Sequence, residues 1–121
     1  MSALVVVGVG ALGGLGAIAR FLLDEAIGRR AGRAFPYGIL AVNLSGALAL
    51  GFVAGVALHG DAYRLVAGGL LGAYTTFSTW VFDSHRLGEE GRPWLGALNV
   101  VASLLLGLAA VWLGRHAGAA L

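Results

Sequence analysis

Residues 63–82 read YRLVAGGLLGAYTTFSTWVF. Beyond Arg64 the stretch carries no charge, over about the 20 residues a helix needs to cross the hydrocarbon core of a bilayer. Its middle is unusual for such a helix. Thr75, Thr76, Ser78 and Thr79 place four hydroxyl groups within five positions, beside Phe77 and Trp80. Ser and Thr bond back to helix carbonyls and bend the helix, and β-branched Thr and nearby Gly72 weaken it further. Two structures satisfy these facts. In one, the helix breaks and frees backbone groups at membrane depth, which requires burial in protein or a polar cavity. Freed carbonyls then suit a hard cation, and freed amides or a helix N-terminus suit an anion. In the other, the helix is intact and the hydroxyls bond internally.

Three more apolar runs surround this one, so helices are expected at roughly 3–23, 37–58, 63–87 and 94–115, in a single transmembrane domain over 1–121. The composition agrees: 59% of residues are hydrophobic and 12% charged, where a soluble domain carries about 25% charged residues. A soluble fold this small cannot hide that much apolar surface, so the bilayer is the expected solvent. Without cysteine there is no disulfide framework and no thiolate site. A sequence pI near 9.7 does not signal nucleic-acid binding, because the net charge is only +2 and no basic stripe exists. Arg29, Arg30 and Arg33 lie between apolar runs, as juxtamembrane charge does. The N-terminus lacks the basic region of a signal peptide, so the first run is expected to remain. Tyr37, Trp94 and Trp112 fall near span ends, where amphipathic rings favour the interface.

A few polar groups interrupt the other spans. Asn43 lies inside the second, with Gly46 one turn on; an amide in hydrocarbon needs partners, either a neighbouring helix or an anion path that its N–H groups face. Asn99, Ser103 and Gly107 repeat every four residues along one face of the fourth span, a stripe suited to helix packing more than to pore lining. Arg20 near the end of the first span is an interfacial anchor, a partner for Asp24 at i+4, or a vestibule charge that attracts anions. Gly10 with Gly14, Gly13 with Ala17, and Gly51 with Gly55 have the spacing that lets helices approach closely in lipid. No enzyme constellation is present: the three His residues are scattered and no carboxylate pair lies mid-membrane. The early glycines imitate a nucleotide loop but sit inside a spanning run.

Gly72-x-x-Thr75-Thr76-Phe77-Ser78-Thr79, preceded by Gly68-Gly69, resembles the third-helix signature of the CrcB/Fluc family of fluoride channels. Asn43-Leu44-x-Gly46 and Gly13-Gly14-x-Gly16-Ala17-x-x-Arg20 are similar to the family's second- and first-helix patterns, so the resemblance covers essentially the whole chain. It implies an all-α membrane protein whose third helix is broken mid-membrane, paired with a second, antiparallel subunit of dual topology in the cell membrane. It implies passive fluoride efflux, which lowers cytoplasmic fluoride and gives fluoride resistance. By the same resemblance Asn43, Phe77, Ser78, Thr79 and Trp80 line a fluoride pore. The backbone carbonyls of Gly72 and Thr75 hold a structural Na⁺ that is not transported. Three positions depart from the family pattern. Trp80 stands where a second Phe is usual, keeping an aromatic edge and adding an indole N–H; Ala73 stands for Gly; Asn99 stands for Tyr.

Two other functions are compatible with four short spans. A proton-coupled exporter needs an acid in the membrane, yet no acidic residue precedes Asp24 in the first span, and Asp83 is the remaining candidate. One half of a heterodimeric channel is the other, with the opposite subunit supplying part of the aromatic lining. Charge sharpens that question. Arg29, Arg30, Arg33, Arg86 and Arg92 fall on loops one and three, against Arg64 and Arg115 on the opposite side. This bias favours termini outside the cytoplasm for a chain inserted alone, whereas a chain that inserts both ways is expected to carry little bias.

Overall fold

A computed structural model covering residues 1–121 is helical throughout, with no strand. Four segments are long and apolar enough to cross a membrane: α1 (Ala3–Ala31), α2 (Tyr37–Gly55), a third over Gly60–Glu89, and a last over Pro93–Ala119. The third is two helices, α3 (residues 60–74) and α4 (Ser78–Glu89), so the last is α5 (Pro93–Ala119). Within α3, an opening α-turn gives way to π-helix over Arg64–Leu71 and returns to a short turn at Gly72–Tyr74.

The span limits differ from expectation: α1 and the last helix outlast their apolar stretches, and α2 stops short of its own. α1 continues past residue 23 to Ala31, so Asp24 and Glu25 are helical. Arg29 and Arg30 in its last turn complement the helix dipole, and Gly32, at φ 79, ends it with an N–H bonded back to the Gly28 carbonyl. Arg33 then folds back to Glu25 at 3.0 Å and Asp24 at 3.5 Å. Of the readings for Arg20, the pairing with Asp24 does not form, and the Arg20 side chain makes no ion pair or hydrogen bond within the chain. α2 stops at Gly55, before residue 58, with Ala57 in the left-handed region at φ 58. α5 outlasts residue 115 by reaching Ala119; Pro93 opens it, where a missing N–H costs nothing.

Backbone proximity holds the bundle together. Gly51 and Gly55 of α2 lie against the carbonyls of Val111 and Arg115, while Gly114 and Gly118 of α5 lie against those of Leu48 and Phe52. A Cβ at any of the four would overlap a backbone oxygen of the facing helix, so these glycines are what permits the contact. α1 packs on α3 in the same manner, with Gly16 on the Leu70 carbonyl and Gly13 near Gly69. Gly10 and Gly14, by contrast, face open space on the single chain. Only 16 of 121 residues are buried, and Leu4, Val7, Leu105 and Leu108 are among many large apolar side chains left exposed. Lipid is the solvent in which such a surface is stable, and the chain is a multi-pass membrane protein.

Candidate functional site

The helical ladder of α3 ends where Thr75 turns extended, at φ −79 and ψ 158. The N–H of Thr75 donates to the Leu71 carbonyl at 3.1 Å, and its hydroxyl donates to the same oxygen at 3.0 Å. Beyond that point the ladder is interrupted. The carbonyls of Gly72, Ala73, Tyr74 and Thr75 accept no hydrogen bond within the chain, and the N–H groups of Phe77, Ser78 and Trp80 find no acceptor. Of the two structures expected for this segment the helix breaks, and the intact-helix alternative does not hold, although the Thr75 hydroxyl still bonds back to a helix carbonyl.

α2 holds the break in place. Asn43 donates from Nδ2 to the Thr76 carbonyl and accepts the Thr76 N–H at Oδ1, both at 2.9 Å. Its carboxamide thereby replaces the helical partners that Thr76 has lost, the neighbouring-helix reading of this residue. One hydrogen of Nδ2 is used, and the second remains for another acceptor. Gly46 admits Thr75 and the Tyr74 ring to the same face of α2, since a Cβ there would collide with Thr75 Cγ2. Ser45 donates to the Val42 carbonyl at 3.0 Å and lies 2.8 Å from the Tyr74 hydroxyl, which is left as the donor of that pair.

Thr76 also starts α4. Its hydroxyl accepts the Thr79 N–H at 3.2 Å and donates to the Thr79 hydroxyl at 3.1 Å, an N-cap arrangement three residues long. Thr76 is the functional residue missed by sequence reasoning, which treated the four hydroxyls as one group. The signal was available: a threonine immediately before a helical run, three residues ahead of the N–H that it caps.

A groove of about 350 Å³ opens beside the break. It brings together Asn43, Gly72, Thr75, Phe77 and Trp80 of the expected site, with Thr76 and Ser103 added. Ser78 and Thr79 do not line it, and neither does Arg20. Phe77 is 73% exposed and meets Trp80 edge to face, with ring centroids 5.4 Å apart. The indole N–H expected as an additional donor at Trp80 is turned to α5, where it donates to the Asn99 carbonyl at 3.3 Å. Asn99 is buried and bonded to Ser84 and Ser103, so its part of the small-polar stripe packs helices.

The chemistry available in the groove follows from these groups. No carboxylate or imidazole lines it, so it offers no acid–base pair. Asp83 lies midway along α4, outside the groove, 3.9 Å from Arg86 and among charges. On one side of the break an N-terminus with free N–H groups suits an anion. On the other, four unpaired carbonyls have the oxygen chemistry of a hard-cation site, and Gly72 and Thr75 are two of them. Ring edges at Phe77 and Trp80 present the positive part of the aromatic quadrupole.

Residues 7–115 match the family described as CrcB-like protein, Camphor Resistance (CrcB). Among curated proteins, the chain is 50% identical over 109 residues to the "Fluoride-specific ion channel FluC 2" of Mycobacterium tuberculosis (strain ATCC 25618 / H37Rv), covering 90% of this chain and 86% of that one. It is 45% identical over 116 residues to the "Fluoride-specific ion channel FluC" of Nitratidesulfovibrio vulgaris (strain DSM 19637 / Miyazaki F), covering 91% and 93%. To the "Fluoride-specific ion channel FluC 1" of Symbiobacterium thermophilum it is 41% identical over 116 residues, covering 91% and 94%. With a match over that length and relatives this similar from end to end, the chain belongs to the CrcB family.

Proposed function

We infer that this chain is a subunit of a fluoride-selective channel that lets fluoride leave the cell passively. The observation that carries the reading is the break at mid-span, where the free N–H groups of Phe77, Ser78 and Trp80 open beside an apolar groove. Fluoride is small and holds water tightly, so a path for it must replace hydration with donors. The second N–H of Asn43, the helix N-terminus and the ring edges of Phe77 and Trp80 are such donors. No proton-carrying side chain lines the groove, which favours passive conduction over proton coupling.

A second subunit, antiparallel to this one, is part of the reading. The groove is open along the chain and Phe77 is exposed, so a single subunit supplies one wall. The unpaired carbonyls of Gly72 and Thr75 are fit to hold a structural Na⁺, which would add positive potential near the anion path. A homodimer is favoured because the break, its Asn43 clamp and Phe77 are all present in one chain. A heterodimer is the alternative favoured by the arginine bias, and Symbiobacterium thermophilum has relatives named both FluC 1 and FluC 2.

The test is efflux from liposomes that contain only this protein. Fluoride should leave, chloride should not, and the flux should set up a membrane voltage. Comparable chloride efflux overturns the selectivity, and silence of this chain alone with flux restored by a homologous partner overturns the homodimer.

A further inference from the structure

Trp80 is tied to α5 through a closed circuit that the channel reading does not use. Its indole N–H donates to the Asn99 carbonyl at 3.3 Å. The Asn99 carboxamide donates from Nδ2 to Ser84 Oγ at 2.9 Å, and the Ser84 hydroxyl donates to the carbonyl of Trp80 at 2.9 Å. The circuit thus starts and ends on the same residue. Asn99 is 2% exposed, and Ser103 donates to its Oδ1 at 3.4 Å, so its side chain is used as donor and acceptor. Gly96, one turn before Asn99, makes this reach possible: a Cβ there would come 2.6 Å from the Ser84 carbonyl, so α4 and α5 are close at this level.

At membrane depth no water substitutes for a lost partner, so a circuit satisfied from within keeps one arrangement. The arrangement matters because Trp80 also lines the groove and meets Phe77 edge to face. An indole offers two kinds of contact to an anion: one strong N–H donor and weaker ring hydrogens. Here the strong donor is spent on α5, and the groove receives only ring. Conduction requires that an ion be held weakly enough to leave, and a mobile indole N–H beside the path would hold a small hard anion too well.

Resting on the channel reading, we propose that Asn99 and Ser84 are positioning residues that lock the Trp80 ring with its N–H turned away from the ion path. They touch no ion themselves. The indole's own acceptor is the Asn99 backbone carbonyl, and the Asn99–Ser84–Trp80 side-chain links hold that carbonyl opposite the indole. Cutting them lets α5 shift off Trp80, so that the N–H swings towards the groove and permeation slows.

The test combines a spectroscopic readout with flux. In a background with Trp94→Phe and Trp112→Phe, Trp80 gives a single indole ¹H–¹⁵N resonance. Asn99→Leu cuts the circuit while keeping the carbonyl, and Ser84→Ala cuts it with a smaller change that guards against misfolding. Each should move the indole resonance and slow fluoride efflux about tenfold, the effect of one lost hydrogen bond on a rate. In a Trp80→Phe chain, which has no indole N–H, Ser84→Ala should change efflux by less than about twofold, as expected when two residues act through one interaction. An unmoved resonance, an unchanged efflux despite a moved resonance, or the full slowing in the Trp80→Phe chain each overturns the proposal. The resonance needs no ion, so a parent protein that passes no fluoride refutes the channel reading separately.

Discussion

Asn43 makes two interhelical hydrogen bonds to the backbone of Thr76, one from its N–H and one to its carbonyl, and Thr76 is buried. Asn43→Ala is therefore expected to cost about 1–3 kcal/mol of stability and to slow fluoride efflux. Thermal unfolding in detergent beside liposome flux checks both; parental stability with lost flux would assign Asn43 to the ion alone. Phe77 behaves in the opposite way. Its exposed ring contributes little to the fold of the single chain, so Phe77→Ala should leave the subunit folded and lose most of the flux. Phe77→Met should retain more flux, through a polarisable side chain of similar length. Equal flux in parent and both variants would remove this ring from the path. Asn43 was legible in the sequence as a polar group that must be satisfied. Its partner was not, because that partner is a backbone 33 residues away, and any main-chain group looks alike in a sequence.

Among the elements, the α2–α5 seam shows how glycine acts through position. Gly114→Ala should drive the α5 backbone off the Leu48 carbonyl and lower the unfolding midpoint, whereas Gly10→Ala, with nothing within 4 Å, should leave the midpoint of the single chain unchanged. Equal loss from the two substitutions would mean that the seam is looser than its backbone contacts imply. The Gly51 and Gly55 half of that seam could be read from spacing alone. Gly114 and Gly118 have the same spacing on α5, but nothing in a list of glycines says which two stripes meet. Helix limits were read least well at α1 and α5, because charge marks where a helix leaves hydrocarbon and not where its hydrogen bonding ends. The broken third span was readable as a weakness at residues 72–80. The π-helical turn before it was not, since a change from i→i+4 to i→i+5 bonding has no compositional mark.

For the whole molecule, the governing balance is one of orientation. The ends of α1 and α4 and the starts of α2 and α5 gather Arg29, Arg30, Arg33, Arg86 and Arg92 at one end of the bundle. Leu121 lies past α5 at the other end and is 91% exposed, so Leu121→Cys reports topology without disturbing a helix cap. In cells expressing only this chain, a membrane-impermeant thiol reagent should label part of the population from each side. Labelling from one side only would assign the chain to a heterodimer. The break also has a signature in isotope exchange, because exchange follows the hydrogen bonding of each amide. Amides within an unbroken transmembrane helix should hold their protons for long periods in deuterated solvent. The amides of Phe77, Ser78 and Trp80, bonded to nothing and next to an open groove, should exchange early, while that of Thr76 beside them, held by Asn43, should exchange late. A deuterium map of the chain would then carry a small labile island near the centre of the bilayer, with one slow amide at its edge, Thr76, and one within it, Thr79, whose N–H the Thr76 hydroxyl accepts.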